Sequence, residues 1–166
     1  MKSAQVELRP LDRGNVMAML ALRVRPEQER FVASPAKSIA ACYVREYGDN
    51  FEYTPLVICA GQRVVGYVTI MCDPKTGDDY WVDDIMIEAS EQGRGYGKSA
   101  VVESVKKILA RYPRCRAVQL TCFRGNDLAA AVYRKVGFRV SGRLNPINGE
   151  PQYELIAAAL DAYRER

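Results

Sequence analysis

The period of the hydrophobic positions changes along this chain, and each change marks an element. Val6 and Leu8, closed by Pro10, read as a short first strand. From Asp12, a candidate N-cap, Val16, Met19, Leu20 and Leu22 recur at helical spacing until Pro26 stops them. Phe31-Val32-Ala33-Ser34-Pro35 reads as a turn. Ser34 then caps a second helix that starts with Pro35 and runs through Ile39, Tyr43 and Tyr47 to Gly48-Asp49-Asn50.

The middle of the chain is β-rich. Leu56 to Ala60 is a strand, Gly61-Gln62 a tight turn, and Val64 to Met71 the antiparallel partner. A loop over 73–78 leads to Tyr80–Ile87, apolar on both faces apart from Asp83 and Asp84, as in a central strand covered on both sides. From Gly97 the period becomes 3.6: Val101, Val102, Val105, Ile108, Leu109 and Tyr112 share one helix face, with Glu103 and Lys107 paired on the other. Ala117–Cys122 is a strand. Asn126 or Asp127 caps a helix to Val136 that Gly137 ends. Phe138-Arg139-Val140 opens a strand, and Gln152–Ile156 is the last one. The order β-α-α-β-β-β-α-β-α-β-β predicts an α/β (α+β mixed) domain over 1–166, one central, mostly antiparallel mixed sheet with helices on both faces.

Composition narrows the function. Net charge is +4 and no Lys/Arg run exceeds two residues, so no nucleic-acid partner is expected. No apolar run approaches the roughly 20 residues of a membrane span, and the N-terminus has no apolar leader core, so a cytoplasmic, membrane-free protein is expected. The five cysteines include no Cys-x-x-Cys pair and there is no histidine. A zinc or other metal site is therefore not expected, nor a Ser/His or Cys/His nucleophile, and the cysteines read as reduced apolar residues.

Gln92-Gly93-Arg94-Gly95-Tyr96-Gly97-Lys98-Ser99 lies between the buried strand and the long helix. Glycines there allow a sharp turn and close approach of a ligand, and the amides at the start of the long helix favour an anion. The expected ligand is a phosphate or pyrophosphate held by main-chain N–H groups, with Arg94 and Lys98 adding charge. A Walker A loop would need glycine at Gln92, and a dinucleotide fingerprint would need glycine at Lys98. Downstream, Asn126 and Tyr133 are nearly aligned on their helix, roughly opposite the stripe Leu128, Val132 and Val136, with small Ala129 and Ala130 between them.

Both stretches resemble the GNAT superfamily of N-acetyltransferases. Gln92-Gly93-Arg94-Gly95-Tyr96-Gly97 matches that family's coenzyme A pyrophosphate loop, Gln/Arg-x-x-Gly-x-Gly/Ala, and Asn126, Ala129, Tyr133 and Gly137-Phe138 match its downstream helix. The likeness covers about residues 80–140. It implies the GNAT acyl-CoA fold, acetyl-CoA as donor with no metal, and a homodimer. It also implies cofactor contacts from Ile85, Met86, Ile87, Gln92–Lys98, Asn126 and Tyr133, with Tyr133 beside the sulfur.

Acetyl transfer to an amine needs deprotonation of the ammonium, polarisation of the thioester carbonyl and protonation of the leaving thiolate. Asp83 and Asp84 are the candidate base or ammonium-binding groups; on a regular strand they face opposite sides, and a β-bulge would change that. A main-chain N–H near Met86 or Ile87 is the expected oxyanion donor, and Tyr133 the proton donor. Cys122 has no histidine partner and is assigned no nucleophilic role. Tyr80–Ile87 and Arg30-Phe31-Val32-Ala33-Ser34 are similar to the bacterial spermidine/spermine (diamine) acetyltransferases. That likeness suggests a polyamine substrate held by Glu27, Gln28, Glu29, Asp83, Asp84 and Trp81; Trp81 reads as core before it reads as a cation platform. Another amine (an aminoglycoside, an amino acid or a protein N-terminus) and a catalytically silent acyl-CoA-binding module remain the alternatives.

Overall fold

Strands apolar on both faces belong at the centre of a three-layer structure, and β2 (Glu52–Ala60) shows it. Its Leu56 and Ile58 pack into one cluster with Val101, Val105 and Ile108, while Val57 and Cys59 pack into a second with Met19 and Leu22. The computed structural model describes residues 5–156 and 158–164. Among them, β1 (Glu7–Pro10), β2, β3 (Arg63–Cys72), β4 (Tyr80–Ile87), β5 (Ala117–Thr121), β6 (Arg139–Leu144) and β7 (Pro151–Ile156) form one sheet in the order β1-β2-β3-β4-β5-β7-β6. Every neighbouring pair is antiparallel except β4–β5.

The helices are α1 (Val16–Leu20), α2 (Pro35–Val44), α3 (Tyr96–Arg111), α4 (Asp127–Val136) and α5 (Ala158–Arg164). Residues of α3, α4 and α5 pack in the first cluster, and those of α1 and α2 in the second. The expected element order is present, with β2 starting at Glu52 rather than Leu56 and with further local differences. Asp12 Oδ1 accepts from the Gly14 and Asn15 amides at 2.7 and 3.1 Å, so it makes a turn and α1 begins only after Asn15. Arg45 takes a left-handed conformation (φ 56°), ending α2 before Tyr47. A 3-10 segment, Pro26–Phe31, occupies the stretch before Ser34, whose Oγ accepts from the Lys37 amide at 3.3 Å as expected of the cap. Glu103 meets Lys106 at 3.0 Å rather than Lys107, the other spacing that makes helix neighbours. The C-terminal α5 lies beyond the last predicted strand; Leu160 is buried and the Tyr163 hydroxyl donates to the Val136 carbonyl at 2.6 Å.

One irregularity shapes the site. Between the pairs Thr69↔Asp83 and Tyr67↔Met86, β3 advances two residues and β4 three, so β4 bulges at Asp84-Ile85. Asp84 takes φ 46°, rare for a non-glycine residue. Just beyond the bulge Gly66 pairs with Ile87, where a Cβ would overlap the Met86 carbonyl oxygen.

Candidate active site

Beyond the bulge the two parallel strands separate. Their ladder has one registered pair, Trp81↔Gln119. The opening between the β4 end and the β5–α4 side is a cavity of about 830 Å³. Its walls divide into an anion end, a floor and an acceptor end.

The anion end is main chain. Gly93 and Gly95 have φ of 82° and 83°, and Gly95 is the N-cap of the 16-residue α3. No atom lies within 4 Å of a Cβ built on Gly93, so the turn faces open space. The first-turn amides of α3 have no carbonyl partner within the helix, and Gly97 and Lys98 line the cavity beside them. A cradle of glycines and helix-terminal amides without side chains fits a pyrophosphate. Arg94 does not line the cavity; its guanidinium lies 3.4 Å from Oε2 of the buried Glu91, which also binds Arg63. Oε2 itself receives no well-aligned hydrogen bond. Gln92 lines the cavity, but its amide bonds to the chain, not outward.

The floor comes from β4, β5 and α4. Asn126 is the N-cap of α4, its Oδ1 accepting from the Ala129 amide at 3.3 Å, and it also lines the cavity. The buried face of α4 is Ala130, Tyr133 and Val136, while Leu128 is exposed, so Tyr133 lies on the core side rather than opposite it. The Tyr133 ring packs 6.2 Å from Tyr153 and 6.4 Å from Phe138. Among the described residues, its hydroxyl has no hydrogen-bond partner. Burial raises the Tyr133 pKa above the ordinary tyrosine value, and Cys122, Asp83 and Tyr153 push the same way, so the hydroxyl holds its proton at neutral pH. The Cys122 thiol is pushed up to about 11 by burial, which leaves it without thiolate character.

The acceptor end is acidic. The bulge turns both Asp83 and Asp84 onto the cavity. Burial raises the Asp83 carboxyl well above the ordinary carboxylate range, and the charge of Asp84 adds to it. Burial raises Asp84 as well. Two neighbours oppose that shift: the buried Ser38 hydroxyl, close to Asp84 although without a well-formed hydrogen bond, and Lys37. Glu46 and Tyr47, after α2, complete this wall, and Tyr47 is raised by burial and then by Asp83, Asp84 and Glu46. Behind Asp83, its cross-strand partner Thr69 is bonded to the Tyr67 hydroxyl at 2.8 Å.

The cavity thus gathers Gln28, Glu29, Asp83–Ile87, Gln92, Gly93, Gly95–Lys98, Asn126 and Tyr133 from the sequence-predicted residues. Glu27 and Trp81 are not in its lining, and Trp81 sits within the sheet between Met71 and Gln119. Sequence reasoning missed Lys37, Glu46 and Tyr47. Lys37 leaves no trace beyond its place in the first turn of α2, and Glu46 and Tyr47 only that of a charged and aromatic pair just past the end of that helix.

The chain is similar to known proteins over most of its length. The model of the acetyltransferase (GNAT) family matches residues 16–138. The spermine/spermidine N(1)-acetyltransferase of Bacillus subtilis is 25% identical over 150 residues, 87% of this chain and 94% of that protein. Among solved structures, the spermidine N-acetyltransferase from Vibrio cholerae, in complex with CoA and spermine, superposes with a TM-score of 0.70. It is 18% identical, over 94% of this chain and 98% of that one. A ribosomal L7/L12 alpha-N-protein acetyltransferase in complex with coenzyme A also superposes with a TM-score of 0.70 at 18% identity, over 95% and 97% of the two chains. Among the described residues, no helix is long and apolar enough to cross a membrane.

Proposed function

This chain belongs to the acetyltransferase (GNAT) family, and from that premise we propose that it moves the acetyl group of acetyl-CoA onto a primary amine of a small polycation of the spermidine/spermine class. The observation that carries the substrate class is the acidic acceptor wall: Asp83 and Asp84 turned inward together by the bulge, with Glu29, Glu46 and Tyr47 beside them. A desolvated carboxylate pair attracts a cationic chain, and the upward shift of both makes them better proton acceptors than ordinary aspartates. The Bacillus subtilis relative, named for spermine and spermidine, supports the same class. The mild net positive charge of the chain does not oppose it, because the local field of the cleft governs binding.

Acetyl-CoA supplies an activated thioester, and the amides of Gly93 and Gly95–Lys98 hold its pyrophosphate. Asp83 or Asp84 accepts the proton of the acceptor ammonium. The Ile87 N–H is favoured over that of Met86 as the carbonyl-polarising donor. The Glu88 amide goes to Val65 on β3 at 2.9 Å while the Ile87 carbonyl accepts from Gln92, so the polar groups of Ile87 point away from β3. The Tyr133 hydroxyl, without a hydrogen-bond partner among the described residues and protonated, serves the departing sulfur as hydrogen donor. Direct transfer needs no acyl-enzyme, in keeping with the inert Cys122. Within the same reading the protein is a cytoplasmic homodimer.

The test is free-thiol release from acetyl-CoA with spermidine, spermine and putrescine as acceptors, against an amino acid, an aminoglycoside and a peptide with a free N-terminus. Release with the polyamines alone supports the substrate class; release only with the peptide or the aminoglycoside rejects it and retains the family chemistry.

A further inference from the structure

Gln92 occupies the first defined position of the pyrophosphate loop, yet its amide is spent on the chain itself. Its Nε2 donates to the Ile87 carbonyl at 3.0 Å and to Gln28 Oε1 at 2.8 Å, and its Oε1 accepts from Gln28 Nε2 at 3.2 Å. Both hydrogens and the oxygen are thereby engaged. The main chain dictates which way each amide points: Gln28 Oε1 also accepts from the Arg25 N–H at 3.1 Å, and Gln92 Nε2 must face the Ile87 carbonyl. The reciprocal pair joins positions 64 residues apart. Close by, Glu88 accepts from the Arg23 amide and the Ala89 amide donates to the Arg23 carbonyl, both at 2.8 Å. The stretch Arg23–Gln28 is therefore stitched twice to Ile87–Gln92.

The chain on either side of this stitch lines one cleft, Glu29, Phe31 and Val32 after Gln28 and Gly93 and Gly95 after Gln92. Val32 also packs in one cluster with Ile39 of α2, the helix that leads to Glu46 and Tyr47. We infer that Gln28 is a positioning residue which, through Gln92, hangs the acceptor wall on the cofactor loop, so that ordering one orders the other. Gln92 accordingly acts on the loop and not on the phosphate, which is left to the main-chain amides. The inference rests on the proposed function of the cleft.

The test is amide hydrogen exchange over residues 25–33 of the full chain, with and without saturating coenzyme A, in the wild type, Gln28→Met, Gln92→Met and the double variant. Methionine keeps the side-chain length and removes the amide. Coenzyme A is expected to slow exchange of this stretch by about tenfold in the wild type. In Gln28→Met it still binds within about fivefold, but the slowing drops below about twofold, and the double variant behaves like either single one. Gln28→Glu keeps the acceptor for Gln92 Nε2 and Arg25 but sets an oxygen against Gln92 Oε1, so it recovers only part of the slowing. Slowing of wild-type size in Gln28→Met, or losses that add in the double variant, would overturn the brace. A wild type that binds coenzyme A with no slowing overturns the brace alone; one that binds none overturns the proposed function as well.

Discussion

The two ends of the cleft are built from different materials. The anion end is local: one strand, one turn and one helix, Tyr80 to Arg111, with the main-chain amides of a helix start beside the cavity. The acceptor end is assembled from the residues after α2 and the bulge of β4, with the 3-10 segment Pro26–Phe31 lining the same cavity, and what it presents is side chains. Backbone ligation demands glycine at set positions and a helix start just after them. Side-chain ligation demands only that suitable groups converge, which many sequences achieve. The first end is thus suited to one invariant ligand, the second to a substrate that varies between relatives.

Breaking the anion end has the largest effect. Gly95→Val forces a β-branched residue to φ near 83° and displaces the α3 amides. Losing two charge-assisted bonds, at about 1.5–3 kcal/mol each, weakens coenzyme A on the order of 10²–10⁴-fold by calorimetry. The fold remains, since the site is exposed. Tyr133→Phe keeps the packing against Tyr153 and Phe138 and lowers kcat about 10²-fold with little change in KM, read by steady-state kinetics.

The acceptor end is probed by pH. Because both aspartates titrate above the ordinary carboxylate range, the rate rises with pH through an inflection above that range. Asp84→Asn removes the like charge beside Asp83 and moves the inflection of the residual activity downward, though burial keeps it raised. Stability runs the opposite way. A carboxyl raised in the folded state holds a proton that the unfolded chain has lost, so stability falls as pH rises from the ordinary carboxylate range toward the folded value. Asp83→Asn removes its share of that slope, leaving that of Asp84, and raises Tm near neutral pH by about 2–4 °C per kcal/mol recovered. The smallest effect belongs to Glu46→Gln, an exposed charge: KM for a polycation rises by about two- to fivefold, with none for a monoamine.

The same contrast explains what could be read from the chain alone. β4 was legible to the residue, because a doubly covered strand followed by alternating glycines admits few other folds. The cap and end of α4 were legible too, from Asn126 and Gly137. The α2 end was not, because Arg45 adopts the left-handed conformation that Gly48 advertises; its guanidinium holds the Asp49 and Phe51 carbonyls at 3.0 and 2.8 Å. Asp83 and Asp84 were visible, but their shared orientation depends on the β4 bulge at Asp84-Ile85, a register shift that the alternation of side chains does not reveal. Glu46 and Tyr47 reach the cleft only through tertiary packing, and no spacing rule connects them to β4.

Whether this cleft transfers acetyl groups to a polycationic amine is decided by thiol release from acetyl-CoA in the presence of spermidine. Release is expected to saturate with spermidine and to fall about 10²-fold in Tyr133→Phe. Release that is indifferent to every polyamine, from a protein that binds acetyl-CoA, would contradict that transfer.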